Sequence, residues 1–382
     1  MIIYLNYIRD FKFYISLILI LSLISVFFLN DFLFDIMYFP DQPEYFRYIR
    51  QWRSLDFENF LSFIFTDKRQ VVKIATLLYS FIPLPTPTNL YGFAFFNKFL
   101  IIIIIFVIMK KNIISGFPLL FIILYPSLHL YSSLTLRDTL VLFLMFFTIY
   151  SAFEKNFFTL ILFMSTLYLI KVQNFYLLLL ILTSIYILNF KFIKKHVVIF
   201  LITSSTLFLY IFGESLLEYI NHHSYVFYVA EVASALAEAN PGGAAKMAAA
   251  MVKANPTELT VGVDARFIHL DGYFDLIYGL ISGAINFYFA PIISVNLNSF
   301  ELIQSLENIF VSIFLIYFVK QNLILDKYKT FYWILLIFGC FAIYGSIAIN
   351  PGTIARWRFP FIIIFIIGLS LDNKINKQKL NE

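Results

Sequence analysis

Phe99-Leu-Ile-Ile-Ile-Ile-Ile-Phe-Val-Ile-Met109 decides what kind of fold this chain adopts. No polar residue interrupts it, and Lys110-Lys111 closes it. Extended back to residue 92, the run is long enough to cross a hydrocarbon layer of about 30 Å. Similar runs recur at Ile15–Leu29, Leu140–Tyr150 and Phe359–Leu371. The chain of 382 residues is 61% hydrophobic and 20% aromatic, with only 13% charged residues. A soluble domain has nowhere to hide so much apolar surface. The first apolar run lacks a small-residue cleavage pattern after it and reads as a retained span.

A window of about 19 residues moved along the chain places ten spans. They fall near 12–29, 92–109, 112–131, 135–152, 157–171, 174–190, 197–213, 299–318, 330–349 and 359–371. Two further apolar stretches, 71–83 and 274–293, are broken by Pro, Gly or a charge. They read as re-entrant or interfacial segments, whose backbone must be covered by protein or face a water-filled cavity. The expected fold is therefore all-α: a polytopic membrane protein with about ten transmembrane helices plus two re-entrant or interfacial segments, forming one membrane domain over 1–382.

Short basic loops set the orientation. Arg9, Lys12, Lys110, Lys111, Lys155, Lys191, Lys194, Lys195, Lys320, Lys327, Lys329, Lys374, Lys377 and Lys379 share one side in the ten-span reading, together with five acids. That side is cytoplasmic by the positive-inside rule. Both termini are then cytoplasmic, and two large loops lie outside: 30–91, with its interfacial segment, and 214–298. The second holds a foreign-looking piece, 230–256, in which eleven of twenty-seven residues are alanine. It reads as a helical hairpin, Ala230–Ala239 and Ala244–Lys253, with Gly242-Gly243 between, and no chemistry is assigned to it.

On the outer side several charges stand at the ends of spans, where an idle charge is costly. Arg137-Asp138 opens the fourth span. Lys171 and Gln173 occupy the short turn between spans five and six. Arg266 precedes the second interrupted stretch. Arg356 and Arg358 lie in Asn350-Pro-Gly-Thr-Ile-Ala-Arg-Trp-Arg-Phe-Pro360, at the mouth of the last span. Each alone reads as a snorkelling anchor. Together they suggest a basic pocket for an anionic headgroup, because a planar guanidinium binds phosphate bidentately. Pro360 leads to the expectation that Arg356–Phe359 is non-helical, with both arginines turned toward one cavity. Among the acids, Asp138 and Asp41 are the candidates for catalysis, the one at the start of an apolar span and the other just after the first span. A positioned carboxylate that accepts a hydroxyl proton contributes about 10²–10⁴-fold.

Other chemistries lack their residues. There is no Walker loop or Gly-rich nucleotide fingerprint, and no Gly-x-Ser-x-Gly elbow. The histidines, His129, His196, His222, His223 and His269, do not have metal-ligand spacing, and Cys340 is the single cysteine. The expectation is no metal, no cofactor and no nucleic-acid partner.

These features resemble the O-antigen polymerases, the integral-membrane Wzy-type family. The resemblance rests on an Asp-containing stretch after the first span, on Pro126…Ser132-Ser-Leu-Thr-Leu-Arg-Asp138 and on Lys171-Val-Gln-Asn174. It continues through Phe287-Tyr-Phe-Ala-Pro291 and Leu302-Ile-Gln-Ser-Leu-Glu-Asn308 to the Asn350–Arg358 segment. Lys171 stands where an arginine is more usual in the family, and the alanine-rich piece has a foreign composition. The resemblance implies a GT-C-like fold in the bacterial inner membrane, with a periplasmic active site. It implies polymerisation of undecaprenyl-pyrophosphate-linked oligosaccharide repeats into O-antigen or a related polysaccharide. Arg137, Lys171, Arg266, Arg356 and Arg358 would hold the pyrophosphate, Gln173 and Asn350 would contact substrate, and Asp138 and Asp41 would do the chemistry. A chain-length regulator protein is the implied partner besides membrane lipid. The alternatives are a lipid-linked oligosaccharide flippase, another glycosyltransferase using a lipid-phosphate sugar, and an O-antigen ligase.

Overall fold

The computed structural model describes residues 2–33, 41–54, 70–81, 91–188, 213–225, 272–291, 299–348 and 351–381, with residues 203, 211 and 270. The alanine-rich segment 230–256, the expected span at 197–213 apart from isolated positions, Arg266 and Asn350 lie outside the described residues. Every regular element among the described residues is a helix. In order they are α1 (Ile2–Phe27), continued by a π-helical stretch Phe28–Leu33, α2 (Asp41–Ser54), α3 (Gln70–Ser80) and α4 (Tyr91–Lys110). Then come α5 (Phe117–Leu124), α6 (Pro126–Ser132), α7 (Asp138–Phe153), α8 (Phe157–Ile170) and α9 (Val172–Leu188). The last are α10 (Tyr273–Phe289), α11 (Ser299–Leu325), α12 (Lys327–Gly345) and α13 (Pro351–Asn381).

Among the described residues five helical stretches are long and apolar enough to cross a membrane: Phe11–Asn30, Tyr91–Lys110, Glu301–Leu325, Lys327–Gly345 and Gly352–Lys374. Shorter apolar helices occupy Asp138–Phe153, Phe157–Ile170 and Val172–Tyr186. Burial runs opposite to that of a soluble protein. On α11, Gln304, Ser305 and Asn308 are buried, whereas Leu302, Ile303, Leu306, Ile309, Ile313 and Ile316 are exposed. A helix that hides its amides and shows its aliphatics is built for lipid. The chain is a helical membrane protein.

The described chain forms two compact units. The first comprises residues 1–183, 317–330 and 359–382, and the second 184–316 and 331–358. In the first, α1 packs on α4, α2 on α3, α3 on α8, and α4 on α7. Helices α7 and α8 form an antiparallel hairpin whose turn passes through Lys155 at a positive φ of 57°. Asn156 caps the start of α8 by accepting the Thr159 N–H at 3.3 Å. Ile104, Ile105, Ile108, Val141, Met145 and Phe146 form its buried interior, and Tyr131 stacks on Phe359.

The expected span at 112–131 is instead two short helices broken at Tyr125-Pro126. Proline cannot donate an N–H, and its ring forces the residue before it out of the helical region. Tyr125 accordingly adopts φ −63° and ψ 114°.

In the second unit, α10 and α12 approach at two glycines. A methyl at Gly283 would lie 2.7 Å from the Ser346 nitrogen, and one at Gly345 would overlap the Gly283 carbonyl. Phe287 of α10 packs against Phe341 and Tyr344 of α12. Asn221 pins the approach to α10 by exchanging two hydrogen bonds with the Leu270 backbone, at 2.9 and 3.0 Å.

Candidate functional site

The first unit holds a buried non-helical segment, Ser133–Arg137, between α6 and α7. Its sequence explains the break. Ser132 and Ser133 turn their hydroxyls back onto the carbonyls of Leu128 and His129 and compete with helix continuation. Ser133, Leu134, Thr135 and Leu136 are buried, so the freed backbone groups need partners from elsewhere in the protein. Four elements supply them. Asn30 donates to Ser133 O at 2.9 Å, and Gln42 of α2 accepts from Thr135 N–H at 2.9 Å. Asn97 of α4 donates to Leu134 O at 2.7 Å and to Leu136 O at 3.1 Å. Tyr79 of α3 donates to Leu136 O at 3.0 Å. A short segment held by four helices is a rigid mount for the head of α7.

Arg137-Asp138 stands on that mount. Asp138 opens α7, where the helix dipole favours a negative charge, and Lys171 lies just past the C-terminus of α8, where it favours a positive one. The α7–α8 hairpin brings these two ends side by side. Lys171 Nζ lies 3.6 Å from Asp138 Oδ1, with only 5% and 3% of the side chains exposed. Arg137 Nη1 donates to the Ile170 carbonyl at 3.0 Å. That is the only hydrogen bond its guanidinium makes among the described residues, and the side chain is half-buried. Two cations and one carboxylate therefore share these helix ends, and the surplus positive charge belongs to the arginine with donors left over.

Asp41 belongs to α2, the helix that reaches the same segment through Gln42. It sits half-buried in the first turn of α2, next to the Gln42 that accepts from Thr135. Gln173 is exposed. The buried amide in that turn is instead Asn174, which donates to Met145 Sδ at 3.2 Å. The structure adds Tyr79, Asn97, Lys73 and Lys98, all buried. Lys98 donates to His129 O at 2.8 Å. A signal for two of them was present in the sequence, since Asn97-Lys98 interrupts an apolar helix.

The second unit places Arg358 differently. It is buried on α13, which runs as a helix straight through Pro360, so the expected non-helical Arg356–Phe359 is corrected. Helix initiation at Pro351 and packing around Phe359 outweigh the local preference of a residue before proline. Two residues apart on a helix, Arg356 and Arg358 point about 200° from one another and do not share one face. Arg358 Nη1 donates to the carbonyls of Phe287, at 3.3 Å, Tyr288, and Ala290, at 3.1 Å. Its Nη2 donates to Asn308 Oδ1. Asn308 Nδ2 in turn donates to Phe289 O and Ala290 O, at 2.8 and 3.0 Å. The last carbonyls of α10 have no intrahelical partner, and Arg358 with Asn308 satisfies them. Arg356 is half-buried.

Among the described residues no three His, Cys, Asp or Glu side chains gather as a metal site requires. Comparison with protein-family models, with curated proteins and with solved structures returns no match.

Proposed function

We propose that this protein polymerises undecaprenyl-pyrophosphate-linked oligosaccharide repeats into O-antigen or a related surface polysaccharide. It would do so on the periplasmic side of the bacterial inner membrane, as a Wzy-type enzyme with about ten spans and a GT-C-like fold. The observation that carries the reading is Arg137. It is a half-buried guanidinium with a single hydrogen bond among the described residues, beside a closed Asp138–Lys171 pair, on a segment braced from four helices.

In this reading the anomeric C–O bond to pyrophosphate breaks as a hydroxyl of the new lipid-linked repeat forms the glycosidic bond. The leaving pyrophosphate keeps the electron pair, and Arg137 stabilises its charge, the kind of contribution that commonly dominates such sites. Asp138 is already engaged by a buried ammonium. It therefore serves as the counter-ion that keeps Lys171 and the end of α8 in place. Asp41, less buried and mounted on the same segment through α2, is the better acceptor for the hydroxyl proton. Lys171 neutralises Asp138 and ties the head of α7 to the end of α8, and Arg358 holds the end of α10.

A flippase for the same lipid-linked repeats is the second reading. Interrupted helices beside buried charges, as at α5–α6 and α8–α9, are also how transporters build their binding sites. Lipopolysaccharide gels of a deletion strain carrying wild type or Arg137→Gln separate the two. A polymerase leaves a core bearing one repeat when deleted or when Arg137 is replaced, whereas loss of a flippase leaves no repeat at all.

A further inference from the structure

Helix α2 carries a row of arginines that the Arg137 site does not use. Arg47 and Arg50 share the exposed side of the helix and Arg53 lies half-buried at its border, whereas Gln42, Tyr45, Tyr48, Ile49 and Trp52 are buried on the other. Each guanidinium lies over an aromatic ring. Arg47 is 5.2 Å from the Tyr48 centroid, Arg50 5.8 Å from Phe46 and Arg53 5.8 Å from Phe93. Stacking of this kind fixes the guanidinium while its in-plane N–H groups stay available. Arg50 is exposed, and among the described residues its only contact is that ring. Arg47, with 62% of its side chain exposed, adds only a long contact to Glu44, at 3.6 Å. Arg53 donates from Nε to Ser80 O at 3.3 Å.

The position of α2 supplies the second argument. Asn30 and Gln42 bind Ser133 and Thr135, two residues apart, so the end of the first span and the start of α2 meet there. Phe32, beside Asn30, is 84% exposed, and Phe81, beside the Ser80 that binds Arg53, is 71% exposed. Bare phenylalanines so near the arginines in sequence and hydrogen bonding offer apolar surface for lipid chains, and a guanidinium beside lipid chains is best met by a phosphate.

We propose that Arg47 and Arg50 bind the phosphodiester headgroups of anionic phospholipid, fixing α2, and with it Gln42 and Asp41, at the bilayer surface. Arg47 and Arg50 are exposed, which suits an abundant ligand held by weak contacts. A scarce substrate is better served by a half-buried guanidinium such as Arg137.

The test uses the purified full chain in detergent, titrated with short-chain phosphatidylglycerol, with phosphatidylcholine of the same chain length and with farnesyl pyrophosphate. Bound lipid is read by native mass spectrometry. Wild type is compared with the Arg47→Gln/Arg50→Gln double variant and with Arg137→Gln. Each basic contact to an anionic headgroup is worth about fivefold in affinity, so the double variant binds phosphatidylglycerol about 25-fold more weakly. Its melting temperature, phosphatidylcholine binding and farnesyl pyrophosphate binding stay at wild-type values, and Arg137→Gln keeps full phosphatidylglycerol binding. Undiminished phosphatidylglycerol binding by the double variant overturns the proposal. So does selective loss of farnesyl pyrophosphate binding, which would assign the row to a pyrophosphate-linked lipid.

Discussion

Asp138→Asn and Lys171→Met, singly and combined, put the buried pair to the strictest test. The two charges are 3.6 Å apart with 3% and 5% of their side chains exposed, so neither can turn to water when the other is removed. Truncating one partner of such a pair costs about 3–5 kcal/mol, because a desolvated charge is left behind. Asp138→Asn also gives up the favourable placement of a negative charge at the start of α7, about 0.3–1 kcal/mol. Removing both charges while roughly keeping volume abolishes the stranded-charge penalty, and the double variant should return to within about 2 kcal/mol of wild type. In a chain of this size 1 kcal/mol moves the melting temperature by about 2 °C, so each single variant should melt about 6–10 °C low and the double variant close to wild type. The assay is thermal melting of detergent-purified protein, monitored by intrinsic fluorescence, beside polymerisation of purified lipid-linked repeat. The double variant is expected to be well folded and inactive, since Arg137 then lacks the anchored helix end it works beside. Single variants that melt within about 2 °C of wild type would refute the coupling. A double variant that makes wild-type chains would reduce the pair to a structural device.

The same geometry supports three more expectations. Arg137→Gln should leave melting unchanged and lower the polymerisation rate by about 10²–10³-fold, as loss of a charge-stabilising donor does; a wild-type rate would remove Arg137 from the site. Arg358→Lys keeps the charge but loses the planar fork that reaches three carbonyls and Asn308, so it should cost about 2–4 kcal/mol of stability in a melting experiment. Gly345→Ala should destabilise by about 1–3 kcal/mol or more, because the new methyl overlaps the backbone of Gly283 and not a movable side chain.

The apolar architecture was legible, and for a plain reason: lipid-facing helices declare themselves by composition alone. The helices Tyr91–Lys110, Asp138–Phe153, Phe157–Ile170 and Lys327–Gly345 begin and end within a few residues of the expected spans. So was the pairing of charge with span ends at Arg137, Asp138 and Lys171, since charges are too costly there to be idle. Breaks were harder. Pro126 signals one plainly, yet a hydropathy window averages across it and draws 112–131 as one helix. The Ser133–Arg137 mount was not legible at all. Nothing in Gln42, Tyr79 or Asn97 shows that all three will serve the same five residues, because that depends on how α2, α3 and α4 pack. Pro360 misled in the opposite direction, since a proline inside a long apolar helix can be absorbed by neighbouring helices.

The arginines mark the limit of sequence reading most sharply. Arg137, Arg358 and Arg50 carry the same charge, and the first two stand alike at the edge of an apolar run. They differ in how many N–H groups the protein has already used. Arg358 commits its terminal nitrogens to the end of α10 and to Asn308, so a phosphate would have to displace carbonyls that the guanidinium already satisfies. Arg137 gives up one hydrogen bond to Ile170 and keeps the rest of its fork. Arg50 rests on Phe46 without a hydrogen bond among the described residues. Charge decides which residues are able to meet an anion, and the count of unspent donors decides which of them do. By that measure Arg358 is a structural residue of the last span, and in the reading proposed here the phosphates fall to Arg137 at the head of α7 and to Arg47 and Arg50 on α2.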